Sequence, residues 1–101
     1  MASVAQSDSP SAVLDKIFAA NMKALQDTVS RLDRSAFQRA VEALSGAQAV
    51  YIYGIGTSSP MVGELQHRLM LLGIPAHGYT DVVAARLSTM NLKPGDVAFG
   101  I

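Results

Sequence analysis

Cysteine is absent from this chain of 101 residues, so neither a disulfide framework nor a zinc site with thiolate ligands can form. The two histidines, His67 and His77, stand apart and do not make a metal-binding cluster. No apolar run approaches the roughly 20 residues that a membrane-spanning helix needs. The first ten residues lack the basic and apolar regions of a signal peptide. We therefore expect a cytoplasmic protein that holds neither a metal nor a cofactor.

An excess of charge of one sign is also missing, because eight basic residues balance eight acidic ones. The chain thus lacks the basic surplus that binding to a nucleic-acid backbone requires. Half of the residues are hydrophobic and 16% are charged, which is typical of a globular chain. This length corresponds to one domain or part of one. If the parent protein contacts DNA, it does so with residues outside this chain.

A long helix is predicted near the N-terminus, after a polar segment (residues 1–9) that we interpret as a tail or linker remnant. Ser9 offers a capping oxygen and Pro10 suits the first helical position. Apolar residues follow at alternating steps of four and three: Phe18, Met22, Leu25, Val29 and Leu32. Such a narrow stripe favours packing against another long helix. Two interpretations remain open: the helix forms a homodimer, or it covers its own sheet.

Strands and helices alternate in the rest of the chain. A second helix is predicted from its cap at Asp33 to the stop at Ser45-Gly46, and the apolar run Ala49–Tyr53 indicates a strand covered on both faces. The further predicted elements are a helix over Pro60–Leu72, a strand over 74–79, a helix from the cap Asp81 to Met90, and a strand from Val97. This order predicts an α/β fold with a doubly wound parallel sheet and long N-terminal helices, truncated after the third strand.

The loop Gly54–Ser59 joins the first strand to the next helix, at the end of the sheet where open α/β folds bind ligands. Gly54 and Gly56 can adopt backbone angles closed to other residues and let a ligand approach closely. The three residues Thr57–Ser59 add hydroxyl groups, and the N–H groups at the start of a helix attract anions. Neutral donors of this kind suit a phosphate or a polyol.

Spacing alone also permits a plain structural interpretation of this loop, in which Ser59 merely caps a helix that begins at Pro60. A dinucleotide fingerprint is less suitable, since it needs a third glycine at Ser59 and an acidic residue about 20 positions on, for which Asp81 is a weak candidate. The Gly-Lys-Ser/Thr end of a Walker loop is absent.

The motif Gly54-Ile55-Gly56-Thr57-Ser58 resembles the Gly-x-Gly-x-Ser pattern that follows the first strand of sugar isomerase (SIS) domains. The longer run VYIYGIGTSSPMVGELQHRLMLLGIPAH is similar to the SIS domains of RpiR-type transcriptional regulators. The leading helix SAVLDKIFAANMKALQDTV and the segment LKPGDVAFGI resemble further parts of these regulators. On this resemblance we assign residues 10–101 to a partial SIS domain.

The resemblance implies a dimeric domain that binds a phosphorylated sugar or amino sugar and thereby alters DNA binding by a helix-turn-helix domain. Carried over by position, Gly54 and Gly56 belong to the binding loop, and Thr57 and Ser58 would hydrogen-bond the sugar or its phosphate, with Ser59 as a further candidate. The family's second binding loop, Ser-x-Ser-Gly-x-Thr, would follow the third strand. Neither that loop nor a helix-turn-helix domain is present in these residues.

Two functions follow from this resemblance: the effector-sensing module of a transcriptional regulator or, alternatively, a phosphosugar isomerase that uses the same loop. Glu64 and His67, three positions apart on one helix, would suit proton transfer in an isomerase. The same two residues also fit a solvated or interface pair. Because no convincing acid and base converge on the loop, we favour a binding module over an enzyme.

Overall fold

The computed structural model describes residues 3–101. The chain divides into two compact units, one that ends at Phe37 and one that begins at Gln38. None of the helices in the described residues is long and apolar enough to cross a membrane.

Two helices occupy the N-terminal part of the chain. Helix α1 spans Pro10–Arg31, and the Ser9 hydroxyl accepts a hydrogen bond from the Ala12 N–H group at 3.1 Å. Helix α2 spans Arg34–Ser45, and an Asp33 carboxylate oxygen accepts one from the Ala36 N–H group at 3.0 Å. Both predicted caps are therefore confirmed. Among the described residues, α1 contains none that is buried. Its apolar stripe is exposed at Phe18, Met22, Leu25 and Val29, as is Leu32 directly after the helix.

Three parallel strands form the sheet of the second unit, in the order β2-β1-β3. They are β1 (Val50–Tyr53), β2 (Ala76–Tyr79) and β3 (Val97–Gly100). The connection from β1 to β2 leads to one side of β1, and the connection from β2 to β3 leads back across to the other side. Since such crossovers are right-handed, this reversal requires their helices to lie on opposite faces of the sheet.

The two connecting helices are α3 (Ser59–Leu71) and α4 (Val82–Ser88), the latter followed by a short 3₁₀ turn at Thr89–Asn91. On the first face, Val50 and Ile52 of β1 are fully buried and pack in one cluster with residues of α3 and β2: Val62, Leu69 and Ala76. The alternate residue Tyr53 lies on the second face, where its hydroxyl is 2.8 Å from the Ser88 hydroxyl of α4. The predicted doubly wound parallel sheet is confirmed.

The second face also carries a tyrosine cluster, formed by Tyr51, Tyr53 and Tyr79. The Tyr51 and Tyr79 rings stack with centroids 6.2 Å apart, and those of Tyr53 and Tyr79 stack at 5.7 Å. His77 extends the cluster, with its ring 5.2 Å from that of Tyr51. Parallel pairing of β1 with β2 places these residues side by side, because Tyr51 lies opposite His77 and Tyr53 opposite Tyr79.

Several predicted boundaries are displaced by one or two residues. Strand β2 begins at Ala76 and not at Ile74, because the Ile74 N–H group bonds the Leu69 carbonyl at 2.9 Å and so still completes the end of α3. Gly73 makes this helix end possible through its left-handed backbone, with a φ of 80°. Helix α4 is capped by Asp81 as predicted, since its carboxylate accepts a bond from the Ala84 N–H group at 2.9 Å.

Candidate functional site

At the start of the loop between β1 and α3, the main chain is hydrogen-bonded on both sides, to the ends of β2 and β3. The Gly54 N–H group bonds the Tyr79 carbonyl at 3.2 Å, and the Tyr53 carbonyl accepts from the Ile101 N–H group at 2.8 Å. From there the chain passes through a single 3₁₀ turn at Gly56–Ser58 into α3. The strand order reverses at β1, so this loop lies beside the crevice in which open α/β sheets bind ligands.

The two glycines of the loop serve different purposes. Gly56 has a φ of 67° and open space where a side chain would be, so its backbone conformation is the reason for glycine. Gly54 lies outside this left-handed region and is buried. A Cβ atom at Gly54 would lie 2.7 Å from Cγ2 of Val62, so close packing is the reason there.

The three hydroxyl side chains of the loop are available to a ligand. Helix α3 begins at Ser59, with Ser58 at the capping position, and Ser58 makes no side-chain capping bond. The alternative interpretation, in which Ser59 caps a helix that begins at Pro60, is therefore wrong by one position: the helix begins at Ser59, and Pro60 is its second residue. Within residues 3–101, the hydroxyls of Thr57, Ser58 and Ser59 form no hydrogen bond. Thr57 is exposed and the two serines are half-buried.

Main-chain donors in the same loop are also unused. The N–H groups of Ile55, Gly56 and Thr57 donate no hydrogen bond to another group in the described part of the chain. The Ser58 N–H group reaches the Ile55 carbonyl only at 3.4 Å, near the limit of such bonds. Consecutive free N–H groups before a helix, together with the positive end of its dipole, attract an anion.

Helix α3 carries an exposed ion pair one turn beyond the loop. The Arg68 Nε atom lies 2.7 Å from a Glu64 carboxylate oxygen. Hydrogen bonding to Arg68 and its charge lower the pKa of the Glu64 carboxyl, to which the neighbouring His67 contributes less. Glu64 is thus held as an ionised partner of Arg68, which makes it a poor proton acceptor for the hypothetical pair with His67.

Sequence reasoning missed Gly78 of β2 as a residue that bears on the loop. A Cβ atom at this position would lie 2.7 Å from Cγ1 of Val62 and 2.8 Å from the Gln66 side-chain oxygen. A glycine inside a strand often marks a close approach by another part of the chain. That signal was present in the sequence, in the run Ala76-His77-Gly78-Tyr79.

No family model matches the chain. Among solved structures, the sugar isomerase domain of an RpiR transcription factor from Sphaerobacter thermophilus matches with a TM-score of 0.79 and 28% identity, over 87% of this chain and 50% of that one. The fold is therefore that of an SIS-type α/β domain, as predicted.

The curated relatives, like the protein of the matching solved structure, are transcriptional regulators. An HTH-type transcriptional regulator of Caldanaerobacter subterraneus subsp. tengcongensis is 33% identical over 97% of this chain. The HTH-type regulator HexR of Escherichia coli is 32% identical over 93% of it, and the E. coli regulator RpiR is 24% identical over 89%. The predicted resemblance to the SIS domains of RpiR-type regulators is confirmed. The chain spans only about a third of the length of these relatives, 35%, 32% and 30% respectively.

Proposed function

We propose that this chain supplies part of the phosphosugar-binding, effector-sensing domain of a transcriptional regulator. The observation that carries the proposal is the set of unused donors in the loop after β1, three hydroxyls and three N–H groups within the five residues Ile55–Ser59. They lie together beside the crevice where the strand order reverses.

A phosphorylated sugar or amino sugar fits these donors better than a plain anion does. Hydroxyl groups both donate and accept hydrogen bonds, so Thr57 and Ser58 can serve a sugar hydroxyl as well as a phosphate oxygen. The N–H groups of Ile55 and Gly56 can only donate and therefore suit the phosphate. No charged side chain lies within the loop, so the main chain and the helix dipole would supply the attraction.

The regulatory role rests on the relatives, which are named as HTH-type transcriptional regulators. This chain has no surplus of basic residues, so DNA would be bound by a helix-turn-helix domain outside it. We place the protein in the cytoplasm, where such regulators act. An isomerase would need a proton acceptor, and Glu64 of α3 is a poor one because it is paired with Arg68.

We further propose that the protein is a homodimer in which α1 contributes to the interface. The apolar residues of α1 recur at alternating steps of four and three, which is the spacing of helices that pack along their length. Met22, Leu25 and Val29 of this stripe are 59%, 72% and 55% exposed. Burying such side chains against the same helix of a second copy would be favourable.

Calorimetric titration of the full protein that contains this chain with a panel of hexose phosphates tests the binding site. Ser58→Ala should weaken binding of the best panel member by about 1.5–3 kcal/mol, the contribution of one hydrogen bond to a charged group. Ser11→Ala, at an exposed serine of α1, is the matched control and should bind like the parent protein. Unchanged affinity in Ser58→Ala removes Ser58 from the site, and a panel without any binder contradicts the proposed function.

A further inference from the structure

Val62 packs between two glycines: Gly54, directly after strand β1, and Gly78, within strand β2. Its side chain is 2% exposed, one turn into α3. Its Cγ2 atom is 2.7 Å from the position a Cβ would take at Gly54, and its Cγ1 atom is 2.7 Å from that position at Gly78. Ordinary van der Waals contact begins at 3.4 Å, so neither glycine could carry a side chain unless α3 or the valine moved.

Gly78 lies on the sheet face that α3 covers, opposite Ile52 in the register of β1 and β2. A second residue of α3 also approaches this face, since the Gln66 side-chain nitrogen donates to the Ala76 carbonyl at 3.3 Å. Around Gly78, helix α3 thus approaches β2 with one polar side chain, Gln66, and one apolar side chain, Val62. The missing side chain of Gly78 is what allows both to come this close.

We infer that Gly78 is a positioning residue: the space it leaves for Val62 sets the height of α3 above the sheet and thereby places the hydroxyls and N–H groups of the loop. This inference rests on the proposed function of that loop. Val62 follows Ser59 by three positions, so a movement at Val62 is carried through a single rigid turn to the donors. An added Cβ would push Val62 away by about 0.7 Å, the difference from ordinary contact. Hydrogen-bond distances tolerate only about half an ångström.

The two side chains that face Gly78 differ in how easily they can yield. Gln66 is unbranched at Cβ, and its terminal amide can swing aside. Val62 is β-branched, and in a helix such a side chain strongly prefers one rotamer. Both of its methyl groups are in use here, one against each glycine, so the clash with Val62 must be relieved by moving the helix.

Three variants of the full protein separate positioning from mere stability. Gly78→Ala introduces the clash, Gly78→Ala with Val62→Ala removes it again, and Gly63→Ala is the matched control, because Gly63 lies in α3 with nothing within 4 Å of an added Cβ. The first measurement, without ligand, follows the amide NMR signals of the loop residues Ile55–Ser59. The second is the affinity for two probes, inorganic phosphate and glucose 6-phosphate.

We expect Gly78→Ala to shift the amide signals of the loop and to weaken binding of the tighter probe by about tenfold to a hundredfold, the value of one misplaced hydrogen bond to a charged group. The double variant should restore both, and Gly63→Ala should change neither. A Gly78→Ala protein with unchanged affinity overturns the inference, even if its thermal stability falls. If Gly78→Ala does not fold, the double variant decides the question. It must then bind like the parent protein, and a double variant that has lost binding overturns the inference. A parent protein that binds neither probe counts against the proposed function. In that case the amide NMR signals of the loop without ligand test the inference: unchanged signals in Gly78→Ala overturn it.

Discussion

Replacing Gly56 by alanine should destabilise the protein through its backbone alone. A residue with a Cβ atom costs about 1–2 kcal/mol in the left-handed region, where Gly56 lies with a φ of 67°. The unfolded chain loses conformational freedom on the same substitution, which offsets about 0.4–1 kcal/mol. Contacts add nothing, since no atom lies within 4 Å of the added Cβ. The net expectation is a loss of about 1 kcal/mol in the free energy of unfolding.

Gly63 offers a control at which the same substitution should change the free energy of unfolding in the opposite direction. It also has open space around it, but it lies inside α3 with a helical backbone. Alanine is favoured over glycine there by about 0.5–1 kcal/mol, so Gly63→Ala should stabilise the protein.

Urea denaturation of Gly56→Ala, Gly56→Asn and Gly63→Ala measures both effects. Gly56→Asn should lie between Gly56→Ala and the parent protein, because asparagine tolerates the left-handed region better than alanine does. If Gly56→Ala and Gly63→Ala change the free energy of unfolding equally, the strain attributed to Gly56 is refuted.

Three further predictions concern other parts of the chain. Ser88→Ala should cost about 1 kcal/mol in the free energy of unfolding, because it leaves the Tyr53 hydroxyl without the partner 2.8 Å away; in the background of Tyr53→Phe the same substitution should cost measurably less, and equal costs would contradict the bond. Arg68→Ala should raise the pKa of the Glu64 carboxyl toward its ordinary value, as followed by carboxyl NMR. Since the folded-state pKa is the lowered one, this pairing stabilises the native state above the ordinary pKa, and the contribution disappears as the pH falls through the lowered value; an unchanged Glu64 titration would refute the pairing. If the protein forms the proposed homodimer through α1, Leu25→Asp should give a monomer in sedimentation equilibrium and Ser11→Ala should not; a dimer that survives Leu25→Asp excludes α1 from the interface.

Local rules were sufficient to predict most of the elements. Caps such as Ser9 and Asp81 act on the adjacent residues, so the positions of their helices followed directly from the sequence. The continuous apolar run before Gly54 likewise indicated a strand covered on both faces. The donors of the loop were predictable for the same reason, because a polar segment between a buried strand and a helix must lie at the edge of the sheet.

What could not be predicted depends on contacts between residues distant in the sequence. The requirement for glycine at Gly54 and Gly78 comes from Val62, and it appears only once α3 is packed across β1 and β2. Backbone freedom, the usual reason for glycine in a loop, applied to Gly56 and not to Gly54. The start of α3 at Ser59 was also not predicted, although its cause is local: a 3₁₀ turn at Gly56–Ser58 leads directly into the helix.

The tyrosine cluster gives this chain a local optical signal. The chain contains three tyrosines and no tryptophan, and all three stack on one face of the sheet. Tyrosine fluorescence and the tyrosine bands of near-ultraviolet circular dichroism therefore report on the strands β1 and β2, and they are silent about α1, whose aromatic residue is Phe18. An unfolding curve recorded in this way follows the second unit alone, and only far-ultraviolet dichroism at helical wavelengths adds the first.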